Sequence, residues 1–360
     1  MLHSKSEKAN IEYSNVAPPE TTQISREEMA QMANSYAPDY VYLDDLKVAR
    51  KPRRRLFKHR EPAAKQPLRD GALRSDDTWQ SEPARRTFAA RLAVRLAPLY
   101  GAFYDWQMTA GKGVRQIRHK LTLPHFPIDA APLKIAFVSD FHYGPTSGRT
   151  AARQAWSIAR ESRPDVLVLG GDFLYADERG LPALLRELQR WKRDAPPGGI
   201  YACLGNHDYE AGVDTLIMAL EACGVRVLIN ESVELPSPWK GVFVAGLDDA
   251  FHGDAQPDQT LENVRDGACA ILAAHSPEVC AHSIVRRCDL TLCGHTHGGQ
   301  ICLPNGEAPH LPSEWSQQYP WGLHRHAGNW LFVSRGVGTV FFPLRLFSPP
   351  DVAIFELARR

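Results

Sequence analysis

The 360-residue chain has no Cys-x-x-Cys pair, and its seven cysteines are odd in number and scattered, several of them inside apolar runs. That argues against a disulfide framework and a cysteine-built zinc site, and suits small buried side chains in a reducing compartment. No uncharged apolar stretch of about 18 residues occurs, so a spanning helix is not expected. The chain start lacks the apolar core of a secretory signal. Arg54-Arg55 leads into polar residues, and Arg85-Arg86 into a segment broken by Arg91 and Arg95, so neither pair reads as a twin-arginine signal. There is no internal repeat. These absences place the expected location in the cytoplasm, either free or peripheral on the inner membrane.

What remains is globular in composition, 44% hydrophobic and 23% charged, which rules out collagen, coiled coil and wholesale disorder. The net charge of +1 conceals an asymmetry. Residues 1–130 hold 22 Lys/Arg against 15 Asp/Glu, whereas residues 131–360 hold 20 against 26. Residues 1–80 are polar and aperiodic, with eight Lys/Arg between Lys47 and Arg60, and read as a largely disordered basic arm. A capping box at Ser25 and Glu28 allows one short helix there.

Residues 81–130 read as an amphipathic helical segment and linker. Phe88, Leu92, Leu96, Leu99, Tyr100 and Phe103 recur at helical spacing among arginines, with a kink at Pro98. Such a helix either packs on the following domain or lies on an anionic membrane, aided by the basic run. The arm lacks aromatic interleaving and the rest of the chain is acidic, so a nucleic-acid partner is not expected.

From residue 131 to 360 the pattern is that of one α/β domain. Strands are expected at Leu133–Ser139, Asp165–Leu169, Ile200–Leu204, Val225–Ile229, Val242–Leu247, Cys269–Ala274, Asp289–Cys293, Trp330–Ser334 and Val352–Leu357. Helices are expected at about 150–161, 181–193 and 213–223. This order implies a layered α/β sandwich.

Polar clusters close five of those strands: Asp140-Phe141-His142, Gly170-Gly171-Asp172, Gly205-Asn206-His207-Asp208, His275, and Gly294-His295-Thr296-His297-Gly298-Gly299-Gln300. Open α/β sheets gather ligands at the carboxyl ends of their strands. Carboxylate, amide oxygen and imidazole without thiolate suit a pair of divalent cations such as Mn, Fe or Zn. A loop holding Asp248, Asp249, His252 and Asp254 either touches the rim of such a site or is solvated.

In this order the motifs D-x-H, G-D, G-N-H-D, H and G-H-T-H resemble the calcineurin-like metallophosphoesterase superfamily over about residues 133–357. The extension G-H-T-H-G-G-Q is similar to that of a bacterial, membrane-associated phosphoesterase branch related to UDP-2,3-diacylglucosamine hydrolases. The resemblance implies a four-layer α/β/β/α sandwich and two metal sites. Asp140, His142 and His297 would hold one metal, Asn206, His275 and His295 the other, and Asp172 would bridge them. His207 would be the catalytic residue beside the leaving oxygen. The implied activity is hydrolysis of a phosphoester or pyrophosphate bond, of a lipid-linked substrate on the inner membrane or, as a generic phosphodiesterase or phosphatase, of a soluble one, with a nuclease and a non-catalytic scaffold as the remaining readings. One position departs from the protein-phosphatase pattern. Three residues beyond Asp172, where an aspartate would orient the histidine, stands Tyr175. Asp208 and Asp177 are the candidates to replace it.

Overall fold

The computed structural model describes residues 12–14, 101–111, 113–144 and 149–359. Most of the arm read over 1–80, and the part before residue 101 of the amphipathic helix expected from the sequence, therefore lie outside the described residues. Within them, two sheets stack face to face between helical layers. The strands are β1 (Glu12–Ser14), β2 (Arg115–Leu123), β3 (Leu133–Val138), β4 (Val166–Leu169), β5 (Ile200–Ala202), β6 (Val225–Val227), β7 (Glu231–Glu234), β8 (Val242–Gly246), β9 (Cys269–Ala273), β10 (Leu290–Cys293), β11 (Gly322–His326), β12 (Asn329–Val333) and β13 (Asp351–Arg359). The longer helices are α1 (101–110), α2 (Arg149–Glu161), α3 (Leu181–Arg193) and α4 (Asn206–Ala222).

The first sheet runs β1-β2-β13-β3-β4-β5-β6, with β3 to β6 parallel and β13 antiparallel to β3. The second runs β11-β12-β10-β9-β8-β7, parallel from β12 to β8 and antiparallel at both edges. Because side chains alternate across a strand, each strand of a stacked sheet feeds two cores. In β3, Leu133, Ile135 and Phe137 fill the layer between the sheets, whereas Ala136 and Val138 face the helices. In β8, Val242 and Val244 point to the partner sheet and Phe243 and Ala245 outward. The outer face of the first sheet is covered by α2 and α3, whose buried sides carry Trp156 and Trp191. On the second sheet the helical layer is thin, built from short 3-10 turns over Pro277–Ala281 and Ser283–Arg287. The sandwich is thus α/β/β/α, as the motif order implied.

Two sequence expectations need correction. Residues 81–130 are not only helix and linker: β2 pairs with β13 along nine residues. Helix α1 sits against the same domain through buried Tyr104 and Met108, with the Tyr104 hydroxyl donating to Val337 O at 2.8 Å. The third expected helix starts not at 213 but at Asn206, inside the G-N-H-D motif, and bends at Gly212, whose φ of 114° is left-handed. All seven cysteines are buried and free. No helix among the described residues is long and apolar enough to cross a membrane.

Candidate metal centre

The parallel strands of both sheets end on one side of the molecule, and every polar cluster read from the sequence lies there. Asp140 and His142 follow β3, Asp172 follows β4, and Asn206 opens α4 after β5. His275 follows β9, and His295 and His297 follow β10. Five of these residues have left-handed backbones: Asp140 (φ 53°), His142 (48°), Asp172 (53°), His295 (70°) and His297 (51°). Each such non-glycine conformation costs energy, on the order of 1–3 kcal/mol, and persists only where the surrounding structure holds it. Here it turns side chains inward from loops that would otherwise point them to solvent.

Two glycines make the approach possible. A Cβ on Gly205 would stand 2.2 Å from Asp172 Oδ1, and one on Gly294 would stand 2.3 Å from Asp140 Oδ2. The carboxylates are then anchored by backbone donors. His207 N donates to Asp172 Oδ1 at 2.9 Å, and His295 N donates to Asp140 Oδ1 at 2.9 Å. Asp172 Oδ2 remains at the centre, 3.1 Å from His275 Nε2 and 3.4 Å from His142 Nε2.

The groups fall into sets whose ligand atoms all lie within 4.8 Å of one another: Asp140, His142 and His297, then Asp172, His275 and His295, with His142, Asp172 and His207 between. Asn206 joins the second set through its Oδ1, 3.1 Å from His295 Nδ1. The rings are steered from behind. His275 Nδ1 lies 2.8 Å from Gly170 O, which directs Nε2 inward. Arg345 donates to His297 Nδ1 at 3.0 Å and, through both Nε and Nη2, to Gly338 O. Nε2 of His297 then faces Nε2 of His142 at 3.0 Å, a spacing at which two lone pairs share one proton.

Donor chemistry and burial fit a metal pair. Asp140 Oδ2 and His295 Nε2 are buried with no hydrogen-bond partner among the described residues, a cost that a cation removes. Burial, with His275 as the chief opposing influence, pushes Asp140 up to about 6. Burial drives His142 down to about 3 and His295 to about 4. Burial, with His142 and Arg345 nearby, holds His297 well below the usual range. These imidazoles are neutral at pH 7, the form that binds metal.

His207 lies at the mouth. Its ring is 5.0 Å from that of His142 and 5.3 Å from that of Tyr175. Burial disfavours its charged form, yet Asp172 and Glu210 outweigh burial and hold its pKa above the ordinary value. Neither aspartate expected to orient it does so. Asp208 is spent on four backbone N–H groups, those of Asp172, Phe173, Leu174 and Gly205, and so braces the G-D loop against α4. Asp177 pairs with Arg179. The partner of His207 Nδ1 is Glu210, at 3.0 Å, which sequence reasoning missed. The signal was a three-residue helical spacing, visible only once the helix is known to begin inside the motif.

The 248–254 loop is part of the rim rather than a solvated excursion. Its Phe251 stacks on His295 with ring centroids 5.0 Å apart. Phe141 and Tyr143, by contrast, pack inward, Phe141 against Trp156 at 4.5 Å.

Comparisons with known proteins agree with this geometry. Residues 133–299 match the family model described as Calcineurin-like phosphoesterase. Phosphodiesterase YaeI of Escherichia coli (strain K12) is 31% identical over 280 residues, covering 76% of this chain and 99% of YaeI. An uncharacterized metallophosphoesterase of Aquifex aeolicus (strain VF5) is 33% identical over 232 residues, 62% of this chain and 85% of that one. The uncharacterized metallophosphoesterase YkuE of Bacillus subtilis (strain 168) is 26% identical over 280 residues, 73% of this chain and 96% of YkuE. Strand-end clusters of metal-ligand type and a match spanning nearly all of one relative lead to one conclusion: the chain belongs to the calcineurin-like metallophosphoesterase family and is a metal-dependent phosphoester hydrolase.

Proposed function

We propose that this hydrolase cleaves a phosphoester or pyrophosphate bond of a lipid-linked substrate at an anionic membrane surface, UDP-2,3-diacylglucosamine being the type of molecule that fits. Asp140, His142 and His297 would hold one cation, Asn206, His275 and His295 the other, with Asp172 between them. Mn, Fe or Zn suits this donor set. Bound there, the cations would supply Lewis acidity to a phosphoryl oxygen and a nucleophile drawn from water. The chain's own contribution is to hold the ligands by backbone donors, exclude water around buried Asp140 and Asp172, and present His207 to the leaving oxygen. With Nδ1 given to Glu210, Nε2 is the nitrogen that delivers a proton or stabilises the departing charge.

The lipid reading is carried by one observation, an exposed aromatic rim mounted on the metal loops. Phe341, Phe342 and Phe347 are 67%, 66% and 60% exposed. Phe341 N donates to the hydroxyl of Tyr175, the residue whose ring stands over His142 and His207. Gln300, three residues beyond His297, donates to the carbonyls of Val340 and Phe342 and accepts from Val340 N. Helix α1 exposes Phe103 and Trp106, and its Gln107 side chain is hydrogen-bonded to both backbone groups of Arg345. Apolar rings beside a polar mouth are suited to an interface of headgroup and acyl chain. The basic run from Lys47 to Arg60 adds charge of the right sign for anionic lipid.

A substrate panel tests this. With Mn, UDP-2,3-diacylglucosamine in micelles containing anionic lipid is expected to exceed bis(p-nitrophenyl) phosphate and cyclic nucleotides in kcat/KM by about tenfold or more. Replacing Phe342 and Phe347 together by serine should lower only the micellar rate. Faster turnover of the soluble diesters, with micellar rates unmoved in the serine variant, contradicts the lipid reading in favour of a soluble-substrate phosphodiesterase.

A further inference from the structure

We propose that Glu210 is the positioning residue of the active site, a carboxylate one helical turn beyond His207 that fixes the orientation and tautomer of its imidazole. The inference rests on the reading of His207 as the group that acts on the leaving oxygen.

Helix α4 begins at Asn206, so His207 in its first turn and Glu210 three residues on lie on one face. Glu210 Oε2 stands 3.0 Å from His207 Nδ1. A carboxylate accepts only, so Nδ1 carries the hydrogen and Nε2 is left for chemistry. The other nearby acids are committed elsewhere. Asp208, on the neighbouring position, points about 100° away around the helix and takes four backbone N–H groups. Asp177 is held by the backbone N and the guanidinium of Arg179. Position 175, three residues past Asp172, holds a tyrosine whose hydroxyl accepts from Phe341 N. That ring supplies a wall 5.3 Å from the His207 ring but no carboxylate.

Glu210 is in turn bracketed. Its Oε1 lies 3.7 Å from His252 Nε2. His252 is placed by a tight loop in which Asp249 Oδ2 accepts from the backbone N of both Phe251 and His252, at 2.9 and 2.6 Å. The same loop stacks Phe251 on His295. One segment therefore supports a metal-site imidazole and, through His252, the carboxylate that steers His207. Without Glu210 the His207 side chain, 18% exposed, would have rotational freedom at the mouth. Because Glu210 is itself 37% exposed, its bond is partly screened, and the expected loss is the tenfold or somewhat more typical of an outer supporting partner.

The test is a double-mutant cycle in the full chain with Mn, using bis(p-nitrophenyl) phosphate and measuring kcat, KM and bound metal for each variant. Glu210→Ala should lower kcat about tenfold or more with KM and metal content near wild type. Glu210→Gln, which keeps an acceptor oxygen at the same reach, should recover most of that loss. In a His207→Ala background, Glu210→Ala should change kcat by less than about twofold. An undiminished kcat in Glu210→Ala, or the same fold-loss with and without His207, overturns the inference while leaving His207 in its role. Full turnover by His207→Ala alone instead overturns the reading of His207, and the inference with it.

Discussion

Asp172→Asn is expected to lower kcat/KM by roughly a thousandfold or more, the effect of about 4 kcal/mol of lost transition-state stabilisation. Among the described residues, Asp172 is the carboxylate whose Oδ2 lies within 3.4 Å of imidazoles from both metal sets, His142 on one side and His275 on the other. Asparagine keeps the shape and can still accept the His207 N–H, so the fold around Gly205 should survive. What it removes is the negative charge, and it can turn an NH2 group toward two sites that need a lone pair. Elemental analysis should accordingly show less metal per chain than in wild type, with circular dichroism unchanged. Burial works against the charge of Asp172, yet His275, His207 and His142 outweigh it and hold the carboxyl well below the usual range. In the absence of cations the asparagine therefore leaves buried His275 without its charge partner, and the metal-free variant should melt below the metal-free wild type. A variant that keeps wild-type turnover would rule out a shared carboxylate.

His207→Ala is expected to act differently. Its turnover should fall by about 10²–10⁴-fold, the range of general acid–base assistance, while metal content stays near wild type. The loss should lie at the low end for a p-nitrophenolate leaving group and at the high end for an alkoxide, which needs its proton more. His207 also forms a set with His142 and Asp172 within 4.8 Å, so the metal measurement is the discriminating one. Loss of a cation from His207→Ala would make the residue a ligand rather than a proton donor.

Much of this site is legible in the linear sequence because parallel strands announce themselves as short aliphatic runs, and their loops must supply the ligands. Val166–Leu169 and Leu290–Cys293 are completely buried, and the polar residues that follow each of them line the strand-end crevice. The edge strands are another matter. In β2, Ile117, Leu121 and Leu123 point inward, but the inward position between them is His119, stacked on Phe355 and flanked by Phe332. A histidine there hides the alternation, and the partner that makes the segment a strand, β13, lies over two hundred residues away. Strand β7, Glu-Ser-Val-Glu, is half exposed and pairs on one side only, so no apolar run marks it.

Orientation of His207 was illegible for a related reason. The carboxylates that the linear sequence offers are Asp208, adjacent to His207, and Asp177, downstream of the G-D motif. In a helix the adjacent residue points about 100° away, whereas the third lies alongside. Glu210 becomes visible only when Asn206 and His207 are recognised as the first turn of α4. The strained φ values of Asp140, His142, Asp172, His295 and His297 carry no mark in the sequence beyond the glycines that accompany them.

The measurement closest to the central claim is anomalous diffraction from crystals of the full chain grown with Mn, recorded above and below the metal edge. Two peaks are predicted, one among Asp140, His142 and His297 and one among Asn206, His275 and His295, with Asp172 touching both. A single peak, or peaks lying away from these seven side chains, would contradict it.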